Sequence, residues 1–503
     1  MAMSVAAIDV VVLGAGSGGV GAAVGAARKG ARVLVIEPSP RVGGMLTNGV
    51  TADVIRPAVL SGLFDELRRL VAARYVGHPD AGLTRDGLYA EPDVVLAAVR
   101  ELLTHPNIEV RPGWRLVHAT TAGDRVSSVT VTDGTRTEVV QAAVLIDATP
   151  EGDLLGAVGV EGVDWVVGRE GSATYGEPLA PPTADRLQQA YTYRLTVQVG
   201  GRTDYSVPST YPEDRPRYAT VNVGGDQRAC TITDSAGVTR TYRGMRLQRC
   251  LPDRKMDVNI DLIGFNHDYP TATRARRTEI EGRLAAFVLG YLHWLRTERA
   301  MPELGLPVDD YTDNHGFPSV LYVREGRRML GRKVFSQGHV TAAPGSDRPR
   351  LERRSVAIGE YGMDSHCVGP RGAVSGSDSC EGGFWVGVVP YQVPFDVMVP
   401  RRITNLLVPE AVSASHVAYS TLRIEVTRMN LGFAAGMAAA GVAQHGGSVG
   451  DVNVRTLQLD LVAASQALIY FDDLPTSDRR FRRIQVAATA GNIALPVGYH
   501  APG

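Results

Sequence analysis

Lysine is almost missing from this chain. Lys29, Lys255 and Lys333 stand among 52 basic residues, and all the others are arginine. With abundant Ala, Gly and Val, that bias points to codon supply in a GC-rich genome and carries no chemistry. An excess of either charge is missing too: 52 basic against 53 acidic residues give a formal net charge of −1. That excludes a basic field for nucleic acid and a polybasic patch for a membrane surface. No apolar run is long enough to span a bilayer. The start, Met1-Ala2-Met3-Ser4, lacks the charged region of a signal peptide, so a cytoplasmic location is expected. Cysteine is scarce. Cys230, Cys250, Cys367 and Cys380 are scattered without C-x-x-C or C-x-x-x-x-C spacing, which excludes disulfide-reductase chemistry on a paired-cysteine motif. They are expected to be reduced thiols, with Cys367 a bystander beside His366. The histidines are dispersed and show no His-x-x-x-His spacing, so no metal site is expected. Internal repeats and low-complexity tracts are absent.

What is present is concentrated between Ile8 and Gly44. Asp9-Val10-Val11-Val12-Leu13 reads as a strand, and Gly14-Ala15-Gly16-Ser17-Gly18-Gly19 fits G-x-G-x-x-G. Ala22, Ala23, Ala26 and Ala27 follow at helical spacing, and Gly30 stops the helix. Arg32-Val33-Leu34-Val35-Ile36 is a second strand, closed by Glu37 and Pro38. Gly14 allows the tight turn, Gly16 lets backbone approach a pyrophosphate, and Gly19 lets helix pack on strand. The helix start, with Ser17 and Gly18, offers free N–H groups to phosphate. Glu37 lies roughly 20 residues on, where an acid accepts hydrogen bonds from a ribose. A helix packed tightly on a sheet without any ligand would leave Glu37 unexplained.

Arg41-Val42-Gly43-Gly44-Met45-Leu46-Thr47-Asn48 narrows the dinucleotide. An arginine, a glycine doublet and a hydroxyl residue directly after the ribose acid resemble the extended fingerprint of the glutathione-reductase-like FAD superfamily. No second G-x-G-x-x-G follows a strand, so a separate NAD(P)H domain is not expected. Ala142-Ala143-Val144-Leu145-Ile146-Asp147-Ala148-Thr149 resembles the second conserved strand of these flavoproteins, with Pro150 where a glycine is usual. Asn405-Leu406-Leu407-Val408-Pro409-Glu410 resembles the late strand whose acid meets the ribityl chain, Glu410 standing where Gly-Asp is usual. The helix that follows, read from Asn430-Leu431-Gly432, would point its positive end at the flavin pyrimidine. Together with Leu321-Tyr322-Val323-Arg324-Glu325, Met363-Asp364-Ser365-His366 and Ser413-Ala414-Ser415-His416, the chain resembles the broad bacterial family of FAD-dependent oxidoreductases. The resemblance implies an FAD cofactor. It implies contacts from Gly14, Gly16, Ser17, Gly18, Gly19, Glu37, Pro38, Arg41, Gly43, Gly44, Met45, Thr47, Asn48, Ala148, Thr149, Glu410, Arg423, Asn430 and Leu431.

The implied fold class is α/β: a Rossmann-like FAD-binding domain with an inserted mixed α+β substrate domain and a C-terminal helical tail. The expected boundaries are 1–165 and 394–446 for the FAD-binding domain, 166–393 for the substrate domain and 447–503 for the tail. Periodicity predicts helices over Leu60 to Val76, Glu91 to Leu103 and Arg274 to Arg299. Ile108 to Val110, Arg115 to Thr120, Val126 to Thr132 and Thr137 to Ala142 read as one antiparallel excursion.

For chemistry, a substrate C–H must face flavin N5 while a nearby group takes the heteroatom proton, and histidine suits that near neutral pH. His366 and His416 are the candidates, each with a structural role as its alternative. Arg324 reads as a clamp for an anionic or carbonyl group, or as an ion pair with Glu325 or another acid. Arg423 reads as a counter-charge near flavin N1/O2, or as a buried pair with Glu425 or another acid. Tyr391 and Tyr322 would orient substrate or close the core. Lys255, Asp257 and Asn259 alternate onto one face of a pocket-lining strand, or of a solvated edge strand. The expected activity is dehydrogenation of a small polar metabolite at C–OH or C–N, with oxygen or another acceptor reoxidising the flavin. A flavin monooxygenase using NAD(P)H and a flavin-binding protein without turnover are the competing readings.

Overall fold

The computed structural model describes residues 8–159, 162–221, 228–375, 380–495 and 498–502. Its centre is a five-stranded parallel sheet in the order Leu406–Leu407, Val144–Asp147, Val10–Leu13, Val33–Glu37 and Ile108–Pro112. The three inner strands are buried at every position. That is why they read as continuous apolar runs and not as alternating ones: helices cover one face, and the antiparallel strands Arg115–Ala122 and Arg125–Thr132 pack on the other with Leu154 and Leu155. Ile108–Pro112 corrects the antiparallel reading of that segment. The helix Pro92–Leu103 precedes it and acts as a crossover, so the strand returns parallel beside Val33–Glu37. Only Arg115–Ala122, Arg125–Thr132 and Thr137–Val140 form the antiparallel three-stranded sheet.

The glycine helix Ser17–Arg28 packs on the late helix Glu425–His445 with almost no side chain between them. A Cβ on Gly432 would fall 1.9 Å from the Gly18 carbonyl oxygen, and one on Gly436 2.0 Å from that of Ala22. Reciprocally, a Cβ on Gly21 would lie 2.2 Å from the Met429 oxygen and one on Gly25 2.4 Å from the Phe433 oxygen. Two glycines at i and i+4 on each helix let the backbones meet. The small-residue runs legible in the sequence are therefore one interface seen from its two sides.

The middle of the chain builds a four-stranded antiparallel sheet in the order Leu247–Leu251, Lys255–Val258, Leu195–Val199 and Leu304–Gly305. The helix Arg274–Glu298 shares its apolar core. Lys255–Val258 is an inner strand, and Lys255, Asp257 and Asn259 are all buried, which overturns the solvated-edge alternative. The four cysteines are not reduced thiols: Cys230 is bonded to Cys250 and Cys367 to Cys380. Scattered spacing hid both pairs: Cys230 and Cys250 lie on strands of two different sheets, and Cys367 and Cys380 lie in the connection between the paired strands Met363–Ser365 and Phe384–Val386. Beyond residue 446, helices Val454–Ala463 and Phe481–Ala490 pack into the same core as the parallel sheet. The turn between them is pinned there by Gln466 Nε2, which donates to the carbonyls of Val356 (2.6 Å) and Asn430 (3.1 Å). Among the described residues, no helix is long and apolar enough to cross a membrane.

Candidate active site

The glycine turn has the geometry its residues imply. Gly14 has φ +91°, and a Cβ there would lie 2.4 Å from the Ala148 oxygen. A Cβ on Gly19 would lie 2.0 Å from the Gly14 oxygen. Gly16 caps the helix start in extended backbone without a side-chain bond. Gly44, at φ +53°, would push a Cβ to 2.8 Å from Gly16 Cα, while Gly43 N donates to the Ala15 oxygen at 2.7 Å. The two glycine segments thus form one backbone cradle at a helix N-terminus, a shape that fits a pyrophosphate, although the Glu37 and Glu410 carboxylates already take the Ala15 and Gly18 N–H groups there. Glu37 closes it. Its carboxylate accepts from Ala15 N (2.6 Å) and Ser39 N (2.8 Å), and burial pushes its pKa up to about 7 against those two bonds. Pro38 lies exposed beside it.

Several other implied contacts are spent on the scaffold. Buried Arg41 donates to the Thr47 carbonyl and pairs with Asp93 and Asp313. The Thr47 hydroxyl donates to the Val42 oxygen (2.6 Å), and Asn48 spans from the Gly44 oxygen to Ser319 N and Val320 N. These bonds shape the 41–48 loop, so Thr47 and Asn48 have only backbone left for a ring. Met45 packs with Val50 and Tyr322. Thr149 caps Asp153 N and bonds Asp147. Glu410 lies on the first turn of the glycine helix. Its Oε1 accepts from Gly18 N at 2.8 Å, and Oε2 pairs with Arg428 Nε at 2.9 Å. Burial pushes Glu410 upward and Arg428 opposes it. The late helix begins at Glu425, not at Asn430. Asn430 and Leu431 are buried within it, Asn430 bonding the Ser61 carbonyl. The β-branched Val426-Thr427 pair concealed that start.

The two candidate histidines come together at the end of the strand Met363–Ser365, each on its own carboxylate. His416 Nδ1 lies 2.8 Å from Glu325 Oε2, and its Nε2 lies 3.4 Å from the Ser365 hydroxyl. The ring is only 2% exposed. It is the first residue of a short helix, not part of a polar turn. Glu325 also pairs with Arg328 at 2.8 Å. His366 Nδ1 lies 2.7 Å from Asp261 Oδ2, while among the described residues its Nε2 has only the Asp364 carboxylate as an ionic neighbour, at 3.9 Å. Its side chain keeps 17% of its surface open. Burial, with Arg324 nearby, pushes the His366 pKa down, so the ring is neutral near pH 7. Gln189 joins the two pairs: its Oε1 accepts from His366 N and its Nε2 donates to Glu325.

Arg324 is fully buried and pairs with Asp261, not Glu325. Arg423 pairs with Asp364 at 3.0 Å and donates to the Tyr322 hydroxyl at 2.7 Å, and it has no bond with Glu425. Tyr391 is buried and bonds Thr421 at 2.7 Å, so it closes the core. Lys255 is held by Asp309 and Asp310, and Asp257 by Arg194. Asp261 escaped sequence reading. Its signal was a single acid inside the apolar run Ile260-Asp261-Leu262.

Similarity to known proteins bears on the cofactor. No curated protein matches the chain. Among solved structures, the myxobacterial chondrochloren halogenase CndH, described as a new variant of FAD-dependent halogenases, is similar over 96% of this chain and 90% of its own, at 12% identity and TM-score 0.34. BexE, studied for oxidation during BE-7585A biosynthesis, is similar over 47% of this chain and 43% of its own, at 19% identity and TM-score 0.26. L-proline dehydrogenase from P. horikoshii is similar at 19% identity and TM-score 0.19. It covers 29% of this chain, which spans 22% of that enzyme's length. The sequence model of the FAD dependent oxidoreductase family matches residues 9–461. That span takes in the parallel sheet, the glycine cradle, both histidine–carboxylate pairs and the late helix. The chain therefore belongs to the FAD-dependent oxidoreductase family.

Proposed function

We propose that this enzyme dehydrogenates a small polar substrate at a C–OH or C–N centre, with His366 as the proton acceptor. When bound, FAD would supply the two-electron oxidation, with oxygen or another acceptor as the final electron sink. The chain's own part is to bind, orient and deprotonate. The cradle of Gly14, Gly16, Gly19 and Gly44 would hold the pyrophosphate, and Glu37 the ribose. Arg423, near Tyr322 and Asp364, would sit on the ring side. We divide the chain as the glutathione-reductase-like pattern suggests, with residues 1–165 and 394–446 for the cofactor, 166–393 for the substrate and 447–503 as a closing tail.

The observation that carries this reading is the free Nε2 of His366. A base must offer a lone pair where substrate can reach it. His366 alone of the two histidines does so, since His416 is closed on both nitrogens. Two disulfides also suit an oxidising compartment better than the cytoplasm expected from reduced thiols.

The test is anaerobic mixing of the yellow holoprotein with a panel of alcohols and amines. Flavin bleaching by substrate alone is expected, and His366→Gln should slow it at least ~100-fold, the range of general-base contributions. Bleaching by NAD(P)H alone would favour a monooxygenase, and an unaffected His366→Gln would end the assignment of the base.

A further inference from the structure

Asp261 belongs to no segment that the sequence singled out, yet three features converge on it. It lies deep in the molecule, 1% exposed. Its Oδ2 lies 2.7 Å from His366 Nδ1, and its Oδ1 pairs with Arg324 at 2.9 Å. Its backbone is clamped as well, since Asp261 N donates to the Ser375 hydroxyl and Ser375 N to the Asp261 carbonyl. Arg324 is fixed in turn by the Ala190 carbonyl and by Asn259 Oδ1. Burial alone would raise this carboxyl, but Arg324 and His366 beside it hold it below the usual carboxylate range. It is an anion across the working pH range. An ionised carboxylate accepts only, so the shared proton belongs to the imidazole.

We propose that Asp261 is a positioning residue that fixes the proton of His366 on Nδ1 and leaves Nε2 as the bare acceptor at the site, with Arg324 anchoring Asp261. This rests on His366 being the proton acceptor. The molecule contains its own control. His416–Glu325 is a second pair of the same kind, but its Nε2 is shut against Ser365, so orientation there creates no open acceptor. The charged groups facing His366 are Asp261, Arg324 and Asp364. Arg423 stands behind Asp364, and Arg246 near Asp261.

Nitrogen-15 NMR of holoprotein labelled on histidine tests this without a substrate. The His366 signal is identified by its loss in His366→Gln. In the unmodified protein it should show the Nδ1–H tautomer at pH 8. Asp261→Asn should mix the two tautomers and lower the His366 titration midpoint by about one pH unit or more, as expected when an opposite charge is removed. Glu325→Gln should leave that signal in place. An Nε2–H tautomer in the unmodified protein, or a titration that Asp261→Asn does not move, overturns the proposal. If Asp261→Asn does not fold, the tautomer of the unmodified protein decides alone. The two readings fail separately: a normal tautomer with undiminished bleaching in His366→Gln would remove the base and leave the positioning intact.

Discussion

At the scale of single residues, the clearest consequence of burial is at Glu37. Among the described residues it has no cationic partner and only two backbone donors, and burial pushes its pKa from 4.5 up to about 7. A carboxyl raised on folding stabilises fully below its unfolded pKa, and that contribution is lost as pH rises through the folded value. The FAD-free protein should therefore lose melting temperature relative to its Glu37→Gln variant between about pH 4.5 and 7, and parallel curves in differential scanning would contradict this. The residues of the glycine cradle are legible in the sequence because sterics alone dictate them. The polar partners are not. In sequence Arg324 reads as a clamp or as paired with Glu325 or another acid, and Arg423 as a counter-charge or as paired with Glu425 or another acid; the acids are Asp261 and Asp364, which no spacing names. Chain proximity guides such guesses, and a fold chooses by space.

At the scale of elements, the crossing of Ser17–Arg28 and Glu425–His445 sets two effects against each other. Alanine in place of a helical glycine gains up to about 1 kcal/mol of propensity. At Gly432 the new Cβ would stand 1.9 Å from a carbonyl oxygen, and overpacking costs about 1–3 kcal/mol. The clash wins, so Gly432→Ala should lower the denaturation midpoint and loosen FAD. Gly441, in the same helix, would leave an added Cβ with nothing within 4 Å, so Gly441→Ala should raise the midpoint. Equal responses would refute the backbone contact. The amphipathic helix Pro92–Leu103, with its opening Glu91-Pro92 and closing His105-Pro106 signals, is legible nearly to the residue, and the long pattern from Arg274 ends at Glu298, one residue short of its expected bound. The direction of Ile108–Pro112 is not, because parallel or antiparallel pairing depends on what precedes the strand.

At the scale of the whole molecule, cysteine is the least legible feature. Cys230 and Cys250 lie on strands whose neighbours appear only once the chain is folded. Their bridge closes a loop of 20 residues, and constraint of the unfolded chain over such a length is worth about 3 kcal/mol. Replacing both with alanine should lower stability in non-reducing denaturant titrations and change nothing once dithiothreitol has reduced the parent protein. A family-wide outline is legible because the cofactor end is built from short local motifs. The middle of the chain is not, since its sheet and its buried ion pairs join residues far apart. The same separation governs biosynthesis. Gly18 and Glu410, which touch across the cradle, are 392 positions apart. A ribosome adding 5–20 residues per second needs roughly 20–80 s to supply the second after the first. For that time the amino-terminal helix has neither the carboxylate that meets Gly18 N nor the late helix that covers its glycine face.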